Sequence, residues 1–310
     1  MAELAFNLKT FAGPAADSRR MEIIRTISWM KQAARSARQQ ERVVGLVPTM
    51  GALHEGHFSL IREAKKQCAP VVVSIFVNPT QFGAGEDFSK YPRTLEADRK
   101  ALEHLAVDYL FLPAAEEMYP PGFRTAVNVE GLSERIEGKS RPGHFRGVAT
   151  VVLKLFEIVQ PNFAFFGRKD AQQARILRQM ASDLNLDTQL VICPIVREED
   201  GLALSSRNAY LKGDDRRAAT ALYRALDAMR LEIEAGERDA ARLLEVIRGV
   251  LRAQPGAQMD YAEIVDADSF EPVMALRKSC YALIAARVGG TRLIDNALIE
   301  ADGDLVKVAV

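Results

Sequence analysis

Two histidines, His54 and His57, stand three residues apart in the run Pro48-Thr49-Met50-Gly51-Ala52-Leu53-His54-Glu55-Gly56-His57. On an opening helix that spacing puts both rings on one side. A helix N-terminus offers unpaired N–H groups and positive potential to a phosphate, and two imidazole donors there would meet charge developing on an attacked phosphorus. The spacing is one short of the four that a His-Glu-x-x-His zinc site requires. The bland alternative is a pair of surface histidines on a first helical turn.

Three further stretches gather donors and cations. In Phe76-Val77-Asn78-Pro79-Thr80-Gln81-Phe82-Gly83, Gln81 brings an amide donor and an acceptor to a substrate with hydroxyls and a carboxylate. In Gly167-Arg168-Lys169-Asp170-Ala171-Gln172-Gln173, the glycine permits close approach of a nucleotide and Lys169 can neutralise phosphate oxygens. Leu204-Ser205-Ser206-Arg207-Asn208 sets two hydroxyls and a guanidinium together as an anion receptor. Taken singly, these stretches also read as a turn glutamine in solvent and charged helix caps.

Each stretch follows a short apolar run that reads as a strand. Residues 43–47 stop at Pro48, residues 71–77 are closed by Asn78-Pro79, and residues 109–112, 163–166 and 190–196 are similar. Helical spacing separates them: from about His57, with Leu60, Ile61 and Ala64 on one face, then over 94–105, 147–159 and 171–184. The alternation predicts a parallel sheet with right-handed crossovers and helices on both faces, and such sheets bind ligands at their strands' carboxyl ends. The helix over 147–159 is so apolar that it is core or a subunit interface, and core is the plainer reading.

The expected fold is therefore α/β: a doubly wound, Rossmann-like domain over residues 21–195 and a smaller α+β lid domain over residues 196–310. The second carries helical stretches over 214–235 and 239–254 and strands near 259–265 and 281–288. Residues 1–20 show no sustained period and read as an N-terminal extension, with Met21 an alternative functional beginning.

The 310 residues are 48% hydrophobic and 26% charged, proportions that exclude a disordered or fibrous chain. Lys and Arg, 41 in all, balance 41 Asp and Glu, so no net field draws nucleic acid or an anionic membrane. No apolar run approaches a membrane span and the first residues lack the succession of a signal peptide, which makes the cytoplasm the expected compartment. Cys68, Cys193 and Cys280, far apart beside apolar or small neighbours, read as core residues rather than a disulfide or a metal clip.

His-x-Gly-His after a first Rossmann-like strand resembles the signature of the nucleotidyltransferase superfamily that includes class I aminoacyl-tRNA synthetases. The string PTMGALHEGH, followed by FVNPTQFGAGEDFSKYPRT, RPGHFRGVATVV, FFGRKDAQQ and SSRN, is similar to the pantoate–β-alanine ligase family. The resemblance implies a ligase that condenses pantoate with β-alanine through a pantoyl adenylate, releasing AMP and pyrophosphate from ATP, with Mg2+ beside the phosphates and a homodimeric assembly. It assigns catalysis to His54, His57, Lys169 and Arg207, with His57 also a candidate proton donor. It sets ATP against Pro48, Thr49, Met50, Gly51, Gly167, Asp170, Val196, Leu204, Ser205 and Ser206 as well. Pantoate and β-alanine fall to Asn78, Gln81, Tyr91, Arg141, His144 and Gln173. Asp98 stands at the family's magnesium-associated carboxylate, while Ala97 replaces a neighbour that is often acidic. Arg168 and Leu204 replace the usual glutamate or glutamine and methionine. Another nucleotidyltransferase, forming a dinucleotide from a phosphorylated substrate, would need an additional cationic pocket. A nucleotide-binding module without turnover would bind ATP yet release no pyrophosphate.

Overall fold

Apolar, β-branched runs of this kind form strands that are buried on both faces, as a parallel sheet requires. In the computed structural model, which describes residues 21–302 and 305–310, they build a sheet of order β1-β4-β3-β2-β5-β6. Its strands are β1 (Glu22–Ile24), β2 (Gly45–Thr49), β3 (Val71–Ile75), β4 (Tyr109–Phe111), β5 (Phe163–Gly167) and β6 (Gln189–Cys193), and every pairing is parallel. The extension expected over residues 1–20 lies outside the described residues.

Between the strands run α1 (Ile27–Gln39), α2 (Glu55–Gln67), α3 (Leu95–His104), α4 (Ala115–Met118), α5 (Glu137–Ser140), α6 (His144–Val159) and α7 (Ala171–Asp183). Alternate strand residues serve opposite faces. Leu46 and Val72 join Met30, Val148 and Leu177 under α1, α6 and α7, whereas Val47 and Val73 join Ile61 and Leu102 under α2 and α3. The order reverses between β2 and β5, a switch point at which α/β sheets open a crevice.

The second sheet is antiparallel, of order β10-β9-β8-β7. It consists of β7 (Ala257–Asp266), β8 (Cys280–Val288), β9 (Thr291–Asp302) and β10 (Leu305–Ala309). Its core is shared with α8 (Gly213–Ala219), α9 (Ala221–Glu234) and α10 (Ala240–Arg252). The doubly wound and α+β expectations both describe what is found, and all three cysteines are buried.

Several boundaries differ from expectation. The strand over 71–77 ends at Ile75, although the Phe76 N–H still donates to the Thr49 carbonyl at 3.0 Å, and that over 190–196 ends at Cys193; Phe76, Ile195 and Val196 line a cavity. The single helix expected over 214–235 divides at Thr220 into α8 and α9. α6 opens at His144, ahead of Gly147, whose missing side chain matters: a Cβ there would lie 2.4 Å from the Thr80 carbonyl oxygen. The apolar side of α6 is core, as its buried Val148, Val152 and Leu155 attest. The strand β1 and helix α1 had no counterpart in the reading, and neither had β9 and β10.

Candidate active site

After β2 the chain turns at Gly51, where φ is +83°, a left-handed value that glycine takes without strain. The turn is pinned from α3. Asp98, 3% exposed, accepts from the N–H groups of Ala52 at 3.0 Å and Leu53 at 2.9 Å and from the Thr94 hydroxyl at 3.0 Å. Both oxygens of Asp98, the carboxylate for which a metal role is expected, are thus engaged by its own chain, and Asp98 is not among the residues lining the cleft. Among the described residues, no three His, Cys, Asp or Glu are grouped to hold a metal ion. Gly51 is not among the residues lining the cleft, and a Cβ there would meet Ile75 Cγ2 at 3.1 Å and Asp98 Oδ2 at 3.2 Å.

His54 caps α2. Its Nδ1 accepts from the Gly56 N–H at 3.2 Å, and His57 Nδ1 accepts from the His54 N–H at 3.3 Å, with the ring centroids 4.1 Å apart. With both Nδ1 lone pairs engaged, each neutral ring carries its proton on Nε2. Burial, and then the nearby Lys169 cation, lower the His54 pKa to about 4. Burial, then His54 and Lys169, lower that of His57 to about 3. Both rings are thus neutral at pH 7 and present Nε2–H as hydrogen-bond donors. With so low a pKa His57 carries no imidazolium proton at pH 7 in the ligand-free protein.

After β3, a 3-10 turn at Pro79–Gln81 presents Gln81. Asn78, 1% exposed, holds the turn in place. Its Nδ2 donates to the Gly147 carbonyl at 3.1 Å and to Gln81 Oε1 at 3.0 Å, while its Oδ1 accepts from the Tyr119 hydroxyl at 2.8 Å and the Thr80 hydroxyl at 2.9 Å. Asn78 therefore positions Gln81, and it lines the same cavity as Gln81. Among the described residues Gln81 Nε2 meets only the Met50 sulfur, at 3.2 Å, a weak acceptor that a ligand oxygen can replace.

Arg141 and His144 stand on the same side of the cleft. His144 Nδ1 donates to the Gln81 carbonyl at 2.8 Å, which leaves its Nε2 to accept from Arg141 Nη1 at 3.1 Å. Burial, with the Arg141 charge second, lowers the His144 pKa to about 4. Arg141 also forms a two-bond pair with Glu86, both contacts at 2.7 Å.

β5 ends at Gly167, and a 3-10 turn over Arg168–Asp170 leads into α7. Among the described residues the Lys169 ammonium has no hydrogen bond or ion pair. Gln173 faces the cleft, whereas Gln172 turns inward to the carbonyls of Leu132 and Arg135, each at 2.8 Å. After β6, Ser205 caps a 3-10 helix over Ser206–Tyr210. The Ser206 hydroxyl lies 3.0 Å from the Tyr91 hydroxyl, and Arg207 donates twice to Asp87, at 2.9 and 2.8 Å.

All four stretches converge. A cavity of about 240 Å³ is lined by His54, His57, Gln81, Tyr91, Arg141, His144, Lys169, Gln173, Ser205, Ser206 and Arg207. Pro48, Thr49, Met50, Gly167, Asp170, Val196 and Leu204 complete its lining, and Phe76, Val148, Val151 and Leu155 form an apolar wall. An adjoining cavity of about 460 Å³ shares Arg141, Lys169, Gln173, Ser205 and Arg207 and extends to Arg292 and Asn296 of β9.

Asn296 is a residue that sequence reasoning missed: from β9, its Nδ2 donates to the backbone carbonyls of Arg168 at 2.9 Å and Lys169 at 2.8 Å. Glu86 and Asp87 were missed as partners of the cleft arginines. No local signal marks them, because contacts over such sequence separations are set by the fold.

The family described as Pantoate-beta-alanine ligase matches residues 22–298. The pantothenate synthetase of Koribacter versatilis is 52% identical over 284 residues, covering 92% of this chain and 98% of that protein. The pantothenate synthetase of Heliobacterium modesticaldum is 53% identical, covering 90% of this chain and all of that protein. A crystal structure of pantothenate synthetase from Thermus thermophilus superposes with a TM-score of 0.85 at 46% identity, covering 89% of this chain and 98% of that one. A pantoate-beta-alanine ligase from Francisella tularensis, complexed with beta-gamma ATP and beta-alanine, gives 0.73 at 36% identity, covering 89% of this chain and 97% of that one. The chain belongs to the pantoate–β-alanine ligase family.

Proposed function

We propose that this cleft joins pantoate to β-alanine in two steps, both electrostatically assisted and neither needing a protein nucleophile. An oxygen of the pantoate carboxylate attacks the α-phosphorus of ATP, the bond to the β-phosphate breaks, and pyrophosphate leaves with the electron pair. The amine of β-alanine then attacks the acyl carbon of pantoyl adenylate, loses a proton to solvent and expels AMP. A bare carboxylate is a poor acyl donor, and adenylation supplies the leaving group. The observation that carries this reading is the convergence of His54, His57, Lys169 and Ser206 on one cavity at the sheet's switch point.

The Nε2–H groups of His54 and His57 meet the α-phosphate oxygens as charge builds on them, aided by the positive potential at the start of α2. Lys169 holds the phosphates from the opposite bank, and Ser205, Ser206 and Arg207 hold those that depart. Gln81 and Gln173 orient pantoate, whose dimethyl carbon suits the apolar wall of Phe76, Val148 and Leu155, with Tyr91, Arg141 and His144 closing that end. Val196 and Leu204 flank adenine, and Gly167 and Asp170 lie by the ribose. Magnesium enters as part of the ATP complex, held by phosphates and water as is usual for this ion.

A homodimer, a cytoplasmic location and a domain boundary at 195/196 belong to the same reading. The last is supported by the end of the parallel sheet at Cys193. Among the described residues, no helix is long and apolar enough to cross a membrane. The test is AMP release with each substrate omitted in turn. AMP should form at a steady rate only when pantoate, β-alanine and ATP are all present, and turnover that ignores pantoate or accepts a phosphorylated substrate in its place would overturn the assignment.

A further inference from the structure

We propose that Asn296, in the C-terminal sheet, is a positioning residue for adenylate formation that acts through Lys169. The proposal rests on the reading of Lys169 as the cation that holds the phosphates. Since the Lys169 ammonium has no partner among the described residues, its place in the cleft depends on where its backbone is held. That backbone is gripped from β9. Asn296 is 1% exposed and its Nδ2 donates to the carbonyls of Arg168 and Lys169 at 2.9 and 2.8 Å. Both partners are obligate acceptors, so the amide can face only one way and both its hydrogens are engaged.

The grip is itself fixed. Asp295, the preceding residue, is 3% exposed and accepts from Arg197 Nη1 at 2.7 Å and Nη2 at 2.9 Å. Arg197 Nη1 also donates to the Gly201 carbonyl at 3.0 Å, and Arg197 bridges Ala203, just before Leu204 and Ser205. Successive residues of a strand point to opposite faces, which lets one dipeptide reach two segments that the other sheet delivers separately. Asp295 ties down the approach to the serine turn, and Asn296 ties down the lysine turn. The neighbouring Leu293, Ala297 and Ile299 already fill the core, and buried polar pairs are poor sources of stability compared with apolar side chains. Geometry at the phosphates is the consequence this pair has that an apolar pair would not.

The test is a double-mutant cycle read by pantoate-dependent exchange between pyrophosphate and ATP. Asn296→Ala should slow exchange by roughly 10- to 100-fold, the scale of a small misplacement of a positioned group, with the pantoate KM unchanged. The double variant Asn296→Ala, Lys169→Ala should be no slower than Lys169→Ala alone, because the first residue acts through the second. Multiplying losses, or exchange at the wild-type rate in Asn296→Ala, would overturn the proposal. Lys169→Ala exchanging normally would instead remove the reading of Lys169 on which it rests. If Asn296→Ala does not fold, Asn296→Ser, which keeps one donor at the site, carries the same cycle with the same criteria.

Discussion

At the scale of single residues, protonation and hydrogen-bond partners decide what each group can do. His54, His57 and His144 are held neutral, with pKa values lowered from 6.5 to about 4, 3 and 4. Between those values and 6.5 the unfolded chain binds protons that the folded chain refuses, so stability is complete above pH 6.5 and falls as pH drops towards 4. For His57 the loss at pH 5 is at most about 2 kcal/mol, because about 1.5 pH units below 6.5 contribute about 1.4 kcal/mol each. Thermal unfolding of His57→Gln should therefore decline less between pH 7.5 and 5 than that of the parent, and parallel declines would show that this ring is not held neutral. Asp98→Asn loses a charged acceptor for the loop's N–H groups. It should cost roughly 1–3 kcal/mol of stability and slow turnover while leaving the magnesium dependence unchanged. A weakened apparent magnesium affinity would make Asp98 a ligand. The donor-bearing residues were legible because they cluster at strand exits. The hydrogen bonds of Asp98 to the Ala52 and Leu53 N–H groups and of Asn78 to the Gly147 carbonyl were not, because a sequence does not show which distant backbone groups a carboxylate or amide meets.

At the scale of elements, what the chain brings close determines the site. α6 approaches the Pro79–Gln81 turn so nearly that a Cβ at Gly147 would lie 2.7 Å from the Gln81 Cα. Gly147→Ala should push this turn away, raise the pantoate KM several-fold, and cost on the order of 1–3 kcal/mol in thermal stability, the usual range for overpacking. An unaltered KM in a folded variant would mean that the turn does not orient pantoate. The strands that carry the site were readable from β-branched runs bounded by Pro and Asn, as at Pro48 and Asn78-Pro79. Their ends were overestimated where apolar residues such as Phe76 and Val196 face the cavity, because burial against a ligand site and burial in a ladder select the same side chains. α1 escaped notice because its seam of Met30, Ala34 and Ala37 lies within a polar, basic sequence.

At the scale of the whole molecule, the two sheets act on one cleft. Glu137, beside the cleft arginine Arg141, accepts from Arg292 of β9 at 2.7 and 2.9 Å and from the Tyr261 hydroxyl of β7 at 3.0 Å. With Asn296 and Arg197–Asp295, these contacts make the C-terminal sheet part of the frame that holds the parallel sheet's loops. This partnership was invisible in the sequence, since its members are separated by about a hundred residues or more. The central claim is that loops from separate strands jointly stabilise an α-phosphate under attack by a carboxylate. Pantoate-dependent exchange between pyrophosphate and ATP, measured without β-alanine, tests it most directly. The parent protein should exchange readily, and His57→Ala and Lys169→Ala should each be slower by more than about 10², the scale for losing one preorganised donor. Near-parental exchange in both variants, or exchange that requires β-alanine, would contradict it.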